Sequence, residues 1–250
     1  MISRPERGRR LALRFRYIGL ASVVCGLAVL LVGMNWTTAE AAAPPPSDAP
    51  PFRLPFLEPP GPDTWLFEQP YGNTEFAYDY RSEIYWAGQG FHFGVDFIAP
   101  CGTPIVAIGD GVVHSIDGPH GARPHNLMID HPNGYASFYG HLLVRPALSR
   151  GEAVQAGQVV GYVGDPDLTC ASRPHLHLEI RASEDYATAY NPILLIDANW
   201  DMLLMMGGLS VAFEQDQNNM RQWQSIYDQP LVRFGYPILN NYQEPWPYDW

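Results

Sequence analysis

The sequence predicts a mainly β protein whose central domain is a compact antiparallel β sandwich or barrel-like sheet. Seven short runs rich in β-branched and aromatic residues follow one another between residues 65 and 197, and turn residues such as those at 131–134 separate them. The chain has 250 residues, of which 46% are hydrophobic and 16% are charged, so it can bury a sizeable core and is not disordered throughout. The predicted strands are residues 94–98, 104–108, 111–116, 126–130, 135–139, 159–163 and 175–180.

Residues 1–43 are predicted to be a signal peptide or a signal anchor. Six of the 15 arginines lie in the first 16 residues, and an uncharged, strongly apolar run follows at residues 18–34. This run is longer than the apolar core of about 7–15 residues in most cleaved signals, yet small residues at 39–43 offer cleavage sites. A cleaved signal and an uncleaved single-pass anchor both remain open, and either one leaves the rest of the chain outside the cytoplasm.

Proline and aromatic residues divide the rest of the chain. Residues 44–62 hold nine of the 24 prolines, so residues 44–64 are predicted to be an extended linker. The β-rich domain spans residues 65–197. The C-terminal extension, residues 198–250, is predicted to form a helix over 201–228 followed by an irregular aromatic tail. Its tryptophans either pack on the β domain or form a ligand platform, and they are Trp200, Trp223, Trp246 and Trp250.

The charge balance excludes two function classes. The chain has no lysine, which rules out a lysine-based mechanism. From residue 44 onward, 9 arginines stand against 24 acidic residues, so this part would be repelled by nucleic acid.

Histidines carry the chemistry that the sequence suggests. His92 and Asp96 form an H-x-x-x-D pattern, and His175 and His177 lie on the same face of a predicted strand because side chains alternate along a strand. Two imidazoles and one carboxylate are ligand types of an open zinc site. Each pattern alone is weak, since an H-x-H strand is more often structural than metal-binding.

These patterns gain specificity from their order along the chain. His92 and Asp96 come first, Tyr139-Gly140-His141 follows, and His175-x-His177 comes last. In this order they resemble the lysostaphin/LytM-type zinc metallo-endopeptidases. The runs at 95–107, 109–113 and 151–161 are also similar to motifs of that family.

The resemblance implies a groove that holds one zinc ion per chain. His92, Asp96 and His177 would be its ligands, while His141 and His175 would be the unligated catalytic histidines. It further implies an exported endopeptidase of the cell envelope that cuts the peptide part of peptidoglycan. We expect no nucleic-acid partner, membrane contact through an uncleaved N-terminal segment, and a possible cell-wall or division partner. Two alternatives are an idle LytM-like module that regulates other wall hydrolases and an interaction protein that uses the aromatic tail.

Several residues near these motifs have two interpretations. Arg173 stands where the family usually has glycine, and it is either a solvated rim residue or a contact for a substrate carboxylate. Tyr139 is a second candidate for substrate binding. Glu179 is either a partner of a zinc ligand or a plain strand residue, and Asn126 either orients a site histidine or forms a turn. Four histidines match no ligand pattern and are expected in surface or turn positions: His114, His120, His125 and His131. For His120 and His125, a loop that flanks the groove is the alternative.

Cys101 and Cys170 are predicted to form a disulfide. They are the only cysteines outside the apolar N-terminal run, and the predicted compartment is oxidising. Each lies within seven residues of an implied ligand, so convergence on one metal would bring their loops together. The alternative is a pair of free buried thiols.

Overall fold

The structure, a computed structural model, describes residues 49–86, 90–207 and 225–234. All of these residues belong to one compact unit. The predicted export signal, Trp223, Trp246 and Trp250 lie outside the described residues. Within the described ranges, no helix combines the length and the apolar character needed to cross a membrane.

Antiparallel strands dominate the architecture, which confirms the predicted fold class. Strands form at all seven predicted places, and four short strands and a short helix that the sequence did not predict accompany them. The elements are β1 Leu66–Gln69, α1 Glu75–Asp79, β2 Val95–Ile98, β3 Pro104–Val106, β4 Gly111–Ile116, β5 His125–Asp130, β6 Tyr135–Leu142, β7 Ala153–Val154, β8 Val159–Tyr162, β9 His175–Ala182, β10 Thr188–Tyr190, a 3-10 turn at Pro192–Leu194, α2 Trp200–Met206 and β11 Val232–Arg233.

One large sheet positions the histidines. Among the described residues it has nine strands, in the order β1-β2-β9-β6-β5-β4-β7, with β10 and β11 added beside β9. Strands β3 and β8 pair separately. In the sheet, β9 lies between β2 and β6, and its His177 is opposite Asp96 on one side and Gly140 on the other. The topology therefore brings motifs that are far apart in sequence to one place.

Alternation along β9 separates the core from the site. Leu176, Leu178 and Ile180 are fully buried in the main hydrophobic cluster. The residues between them, at 175, 177, 179 and 181, consequently point to the opposite face of the sheet. One strand thus contributes both core and polar site residues.

The segment before β1 packs onto the β domain. Phe52 is buried, its N–H donates to the Leu195 oxygen, and its own carbonyl accepts from the Asp197 N–H. Phe56 is also buried and stacks on Trp65 with ring centroids 4.9 Å apart. The prediction of an extended linker over residues 44–64 is therefore wrong from Phe52 onward. Burying the aromatic side chains of this segment in the core stabilises the packed arrangement, although the prolines favour an extended chain.

The C-terminal extension is less helical than predicted. Helix α2 begins after Asn199, whose side chain accepts from the Met202 N–H, and it ends at Gly207. Residues 225–228 form a turn closed by Ser225 and Asp228 instead of a helix end. Trp200 is buried against Phe67, which supports packing on the β domain for this tryptophan. Residues 208–224, the middle of the predicted helix, lie outside the described part.

A disulfide joins two loops near the site. Cys101 follows β2 and Cys170 precedes β9, and their Cα atoms lie 5.8 Å apart across the Cys101–Cys170 bond. The bridge links the loop after Asp96 to the loop before His175.

Candidate metal centre

Three predicted ligands converge on one point. The His92 Nε2 atom lies 3.2 Å from the Asp96 Oδ1 atom and 3.1 Å from the His177 Nδ1 atom. The His177 Nδ1 atom lies 2.8 Å from the same Asp96 oxygen. His92 and Asp96 are buried, and His177 is nearly so. Within the described ranges, this is the one group of three metal-ligating side chains that come this close together.

The spacing of these atoms fits a zinc ion. Ligands bound tetrahedrally at about 2.0–2.1 Å lie about 3.3 Å from one another. The three ligand atoms of His92, Asp96 and His177 lie 2.8–3.2 Å apart, which is slightly closer, as expected where hydrogen bonds join these atoms directly. Two imidazole nitrogens and one carboxylate oxygen also form a donor set that zinc accepts.

Each histidine of this group is oriented through its other nitrogen. The His92 Nδ1–H donates to the Pro70 carbonyl oxygen at 2.8 Å. The His177 Nε2–H donates to the Glu179 Oε1 atom at 3.0 Å. These bonds direct the remaining nitrogen of each ring to the shared point, as in known metal sites. Glu179 therefore contacts an implied ligand directly.

The charges of the site favour a cation. Burial alone would raise the pKa of Asp96, but His92, His175 and a hydrogen bond from His177 hold it well below its usual range. Burial acts against the charged form of His177, yet Asp96 and Glu179 raise its pKa to about 9. In the metal-free protein, His177 therefore carries a proton on Nδ1 as well, beside Asp96. A metal ion bound to Nδ1 would displace that proton, so metal binding would release it.

A buried ion pair supports Glu179. The Arg181 Nε atom donates to the Glu179 Oε2 atom at 2.6 Å, and both side chains are almost wholly buried. Burial would raise the pKa of Glu179, but Arg181 and His177 lower it to about 2. Glu179 is consequently ionised at neutral pH and holds both donors.

His141 and His175 lie together beside this group. Their ring centroids are 4.6 Å apart, and the His141 ring is 6.0 Å from that of His177. The His141 Nδ1–H donates to the Arg123 carbonyl and the His175 Nδ1–H to the Arg173 carbonyl. Both rings therefore keep Nε2 available.

Both of these histidines are held neutral. Burial is the largest cause that lowers the pKa of His141, and with repulsion from His175 and His177 it brings that pKa to about 3. Burial also lowers the pKa of His175. A neutral imidazole with a free Nε2 can accept a proton, which is the state that a general base needs.

An irregularity in β6 sets the position of His141. Its φ is +57°, and the β5–β6 register shifts between His125 and Leu127. Gly140 precedes it, where an added Cβ would lie 2.4 Å from the Ala122 Cβ atom. This bulge directs His141 into the groove with His177, although regular alternation would place it with Tyr139 in the core.

Tyr139 does not reach the groove. Its side chain is fully buried, and its hydroxyl oxygen accepts from the Ile108 N–H at 2.9 Å and the Ser137 hydroxyl at 3.1 Å. The prediction that Tyr139 binds substrate is wrong, because alternation turns it to the core face of β6.

Asn126 organises a loop and does not touch a site histidine. Its side chain accepts from the Gly118 N–H and donates to the Gly118 and Gly121 carbonyls. These bonds hold the loop that carries Arg123, whose carbonyl accepts from His141. Of its two interpretations, the turn role matches the contacts.

A groove of about 630 Å³ surrounds the site. Tyr85, Trp86 and residues 120–123 line the groove, and Phe234 contributes from the C-terminal extension. Arg173 lines the groove as well, with its guanidinium carbon 5.3 Å from the Phe76 ring centre. Among the described residues, no carboxylate forms an ion pair with Arg173. Arg173 and the loop with His120 were expected near the groove, whereas Tyr85, Trp86 and Phe234 were not predicted, because nothing in their spacing relates them to the histidines.

The remaining histidines differ from one another. His131 is buried, with Nδ1 bonded to the Asp110 carbonyl and Nε2 to the Ser137 hydroxyl, each at 2.8 Å. His131 has the turn position that was one of its two expectations, since its carbonyl oxygen accepts from the Gly134 N–H at 3.3 Å, but its side chain is buried and not on the surface. His114 and His125 are partly exposed and pair with nearby aspartates.

Comparison with known proteins identifies the domain that carries this site. Residues 90–192 match the model of peptidase family M23, and this range contains all five implied site residues. These residues form a peptidase family M23 domain. The resemblance seen in the sequence is thereby confirmed.

Relatives of the M23 domain include named wall peptidases. Over 91 residues the chain is 41% identical to the DD-carboxypeptidase/endopeptidase Mpg of Neisseria meningitidis serogroup B, a match that covers 36% of this chain and 20% of the relative. Over 88 residues it is 40% identical to the peptidoglycan DD-endopeptidase ShyC of Vibrio cholerae serotype O1, which covers 35% of this chain and 19% of the relative. The chain thus spans about a fifth of the length of these two relatives.

A solved structure also resembles this chain. The catalytic domain of the antimicrobial peptidase lysostaphin from Staphylococcus simulans aligns with a TM-score of 0.42 at 26% sequence identity, covering 52% of this chain and 90% of that one.

Proposed function

We propose that this chain is an exported zinc metallo-endopeptidase that hydrolyses cross-link or stem peptides of peptidoglycan during cell-wall remodelling. The observation that carries the proposal is the convergence of His92, Asp96 and His177 beside two neutral histidines inside an M23 domain. The substrate class follows from the names of relatives that act on peptidoglycan.

His92, Asp96 and His177 would hold one zinc ion per chain. Bound there, zinc would supply Lewis acidity that polarises a peptide carbonyl and acidifies a water molecule. Pro70 and Glu179 keep the two histidine ligands oriented.

His141 and His175 would handle the proton and the oxyanion. One of them accepts the proton of the attacking water at Nε2, since Nδ1 of each ring is already used as a donor to a backbone carbonyl. The proton taken up in this way would pass from Nε2 to the nitrogen of the leaving amine. The other histidine can donate to the oxyanion through Nε2 only as an imidazolium, so the negative charge of the oxyanion would have to raise the pKa that burial lowers in the free protein. The 4.6 Å between their ring centroids lets both rings face one reacting group.

Arg173 would bind a carboxylate of the substrate. Its guanidinium lines the groove beside His175 without an ion pair to any described carboxylate, and arginine binds carboxylates through two parallel hydrogen bonds. Arg173→Gln should raise KM for a peptide with a free carboxylate and leave KM for the corresponding amide nearly unchanged. An equal change for both peptides would make Arg173 a solvated rim residue.

Export and tethering are proposed from the predicted signal in residues 1–43. The acidic exported part would not be attracted to an anionic wall, so a membrane anchor or a cell-wall or division partner would bring the enzyme to its substrate.

The test combines metal content with clearing of purified sacculi. The wild-type chain should contain about one zinc and reduce the turbidity of the suspension, and Asp96→Ala should lose both properties. Zinc-loaded protein that binds sacculi without clearing them would favour the idle regulatory module. Binding that persists without clearing after the ligands are replaced would favour an interaction protein. Wild type that takes up no added zinc would end the enzyme proposal.

A further inference from the structure

We propose that residues 225–234, here called the C-terminal segment, position both histidine ligands of the candidate zinc site. The inference rests on the zinc site of the proposed function. The segment lies outside the M23 match at 90–192, yet it contacts Asn73 and Arg181, which neighbour the groups that orient His92 and His177.

The first contact reaches His177 through two residues. The Phe234 ring lies 4.3 Å from the Arg181 guanidinium carbon, and the Phe138 ring lies 5.0 Å from it on β6. Arg181 donates to Glu179, and Glu179 accepts from His177. Phe234 is itself stacked on Phe93 with a centroid distance of 4.0 Å.

The two rings flank a guanidinium whose Nη1 atom donates to the Tyr186 carbonyl oxygen at 3.1 Å and lies 3.3 Å from the His120 Nδ1 atom. The Arg181 Nη2 atom is buried and has no hydrogen-bond partner among the described residues, so the rings take the place that water would otherwise fill. Excluding water strengthens the Arg181–Glu179 pair, because charges attract more strongly where the dielectric constant is low. Removing Phe234 would admit water and loosen Glu179, and with it the acceptor that orients His177.

The second contact reaches His92 by a separate route. The Gln229 side-chain oxygen accepts from the Asn73 N–H at 2.8 Å. It lies against Gly72, where an added Cβ would come within 2.1 Å of that oxygen. Gly72 and His92 exchange two backbone hydrogen bonds of 2.9 and 3.0 Å. Nearby, Pro70 accepts from the His92 ring.

The segment is anchored well enough to transmit these contacts. Its strand β11 pairs with β10, and Ile226 and Val232 are buried in the core. The Asn191 side chain donates to the Ile226 carbonyl at 2.6 Å, and the Tyr71 hydroxyl donates to the Pro230 carbonyl at 2.9 Å. A fixed segment that holds Arg181 and the Gly72–Asn73 backbone acts on metal affinity through the direct partners of the histidine ligands, whose own loss weakens metal binding about 10–100-fold.

The test measures zinc affinity of the full chain by competition with a chromophoric chelator. We expect Phe234→Ala and Gln229→Ala each to weaken zinc binding about 10-fold, the lower end of the range for outer partners. Phe234→Tyr keeps the ring over Arg181 and should stay within about threefold of wild type. Leu231→Ala is the matched control, because this side chain is 58% exposed in the same segment. The absorption spectrum of the cobalt-substituted protein should change for Phe234→Ala and not for Leu231→Ala.

Two results would overturn the inference. A lower melting temperature with unchanged zinc affinity would make the segment a scaffold only. Unchanged zinc affinity with a higher KM for peptide would make Phe234 a substrate contact of the groove. Zinc affinities that change as expected in a protein that does not clear sacculi would refute the peptidase function and leave this inference standing.

Discussion

Glu179→Gln tests how the candidate metal centre is supported. The Glu179 carboxylate is 4% exposed and accepts from the His177 Nε2 atom at 3.0 Å and from the Arg181 Nε atom at 2.6 Å. An amide of the same shape keeps one oxygen and turns an NH₂ group toward the other donor. One of the two donors therefore loses its partner, and Arg181 becomes a buried cation without a counter-charge.

The expected magnitudes follow from that burial. Breaking a buried ion pair by removing one partner costs about 3–5 kcal/mol, and the retained hydrogen bond places this variant near 3 kcal/mol. Loss of the acceptor behind a histidine ligand weakens metal binding about 10–100-fold, which corresponds to about 1.4–2.7 kcal/mol. The metal-free protein should thus lose stability, and zinc affinity should fall independently.

Urea unfolding of the metal-free protein and zinc competition measure the two effects. Arg181→Met added to Glu179→Gln should restore much of the stability, since neither buried charge then remains, but zinc affinity should stay low because His177 still lacks its carboxylate. Glu184→Gln serves as the control, because Glu184 is exposed and lies just after β9. If Glu179→Gln lost less than about 1 kcal/mol of unfolding free energy and kept normal zinc affinity, Glu179 would support neither Arg181 nor His177.

Three further predictions concern separate parts of the domain. His141→Ala and His175→Ala should keep zinc and lose turnover by about 10²–10⁴-fold, the usual contribution of a positioned acid-base group, and the double variant should lose little more. Cys101 and Cys170 should both resist thiol labelling in the unreduced, denatured protein. Burial lowers the pKa of His131, so the folded state binds its proton less readily than the unfolded chain. Its stabilising contribution is therefore present above about pH 6.5 and declines by at most about 1.4 kcal/mol per pH unit below that, a loss that His131→Gln should reduce in urea unfolding at pH 7 and pH 5.

These predictions have distinct controls and contrary outcomes. His125→Ala, at a partly exposed pair with Asp117, should change turnover little. Near-normal turnover of His141→Ala would remove it from the proposed mechanism. Two labelled cysteines would contradict the disulfide. An unfolding free energy with the same pH dependence in wild type and His131→Gln would show that His131 does not couple protonation to folding.

The sequence predicted the strands of the sheet better than the parts that cover it. Alternation and turn residues locate β9, where buried Leu176 and Leu178 alternate with His175 and His177. β1 was missed because its Glu68 and Gln69 read as polar, although both are buried in the structure. Periodicity shows which side chains share a face of a strand, but it does not show whether a segment distant in sequence will bury that face.

The same limit applies to the site. The family resemblance carried by the ordered motifs implied which histidines and which aspartate form the site, and neighbouring strands bring these residues together in the structure. The bulge at His141 places it in the groove while Tyr139 stays in the core, and no local pattern distinguishes the two residues. Arg181 and Phe234 could not be predicted either, since their contact depends on how a distant segment packs.

Mass spectrometry of muropeptides shows whether the chain cuts peptidoglycan peptides and which bond it cuts. Purified sacculi would be incubated with residues 44–250, which retain the packed residues Phe52 and Phe56, in the presence of zinc, and His177→Ala would be treated in parallel. We expect new peptide ends from a single type of peptide bond with wild type, and none with His177→Ala or after zinc is removed by a chelator. Unchanged muropeptides with zinc-loaded, folded wild-type protein would show that the chain is not a peptidoglycan endopeptidase.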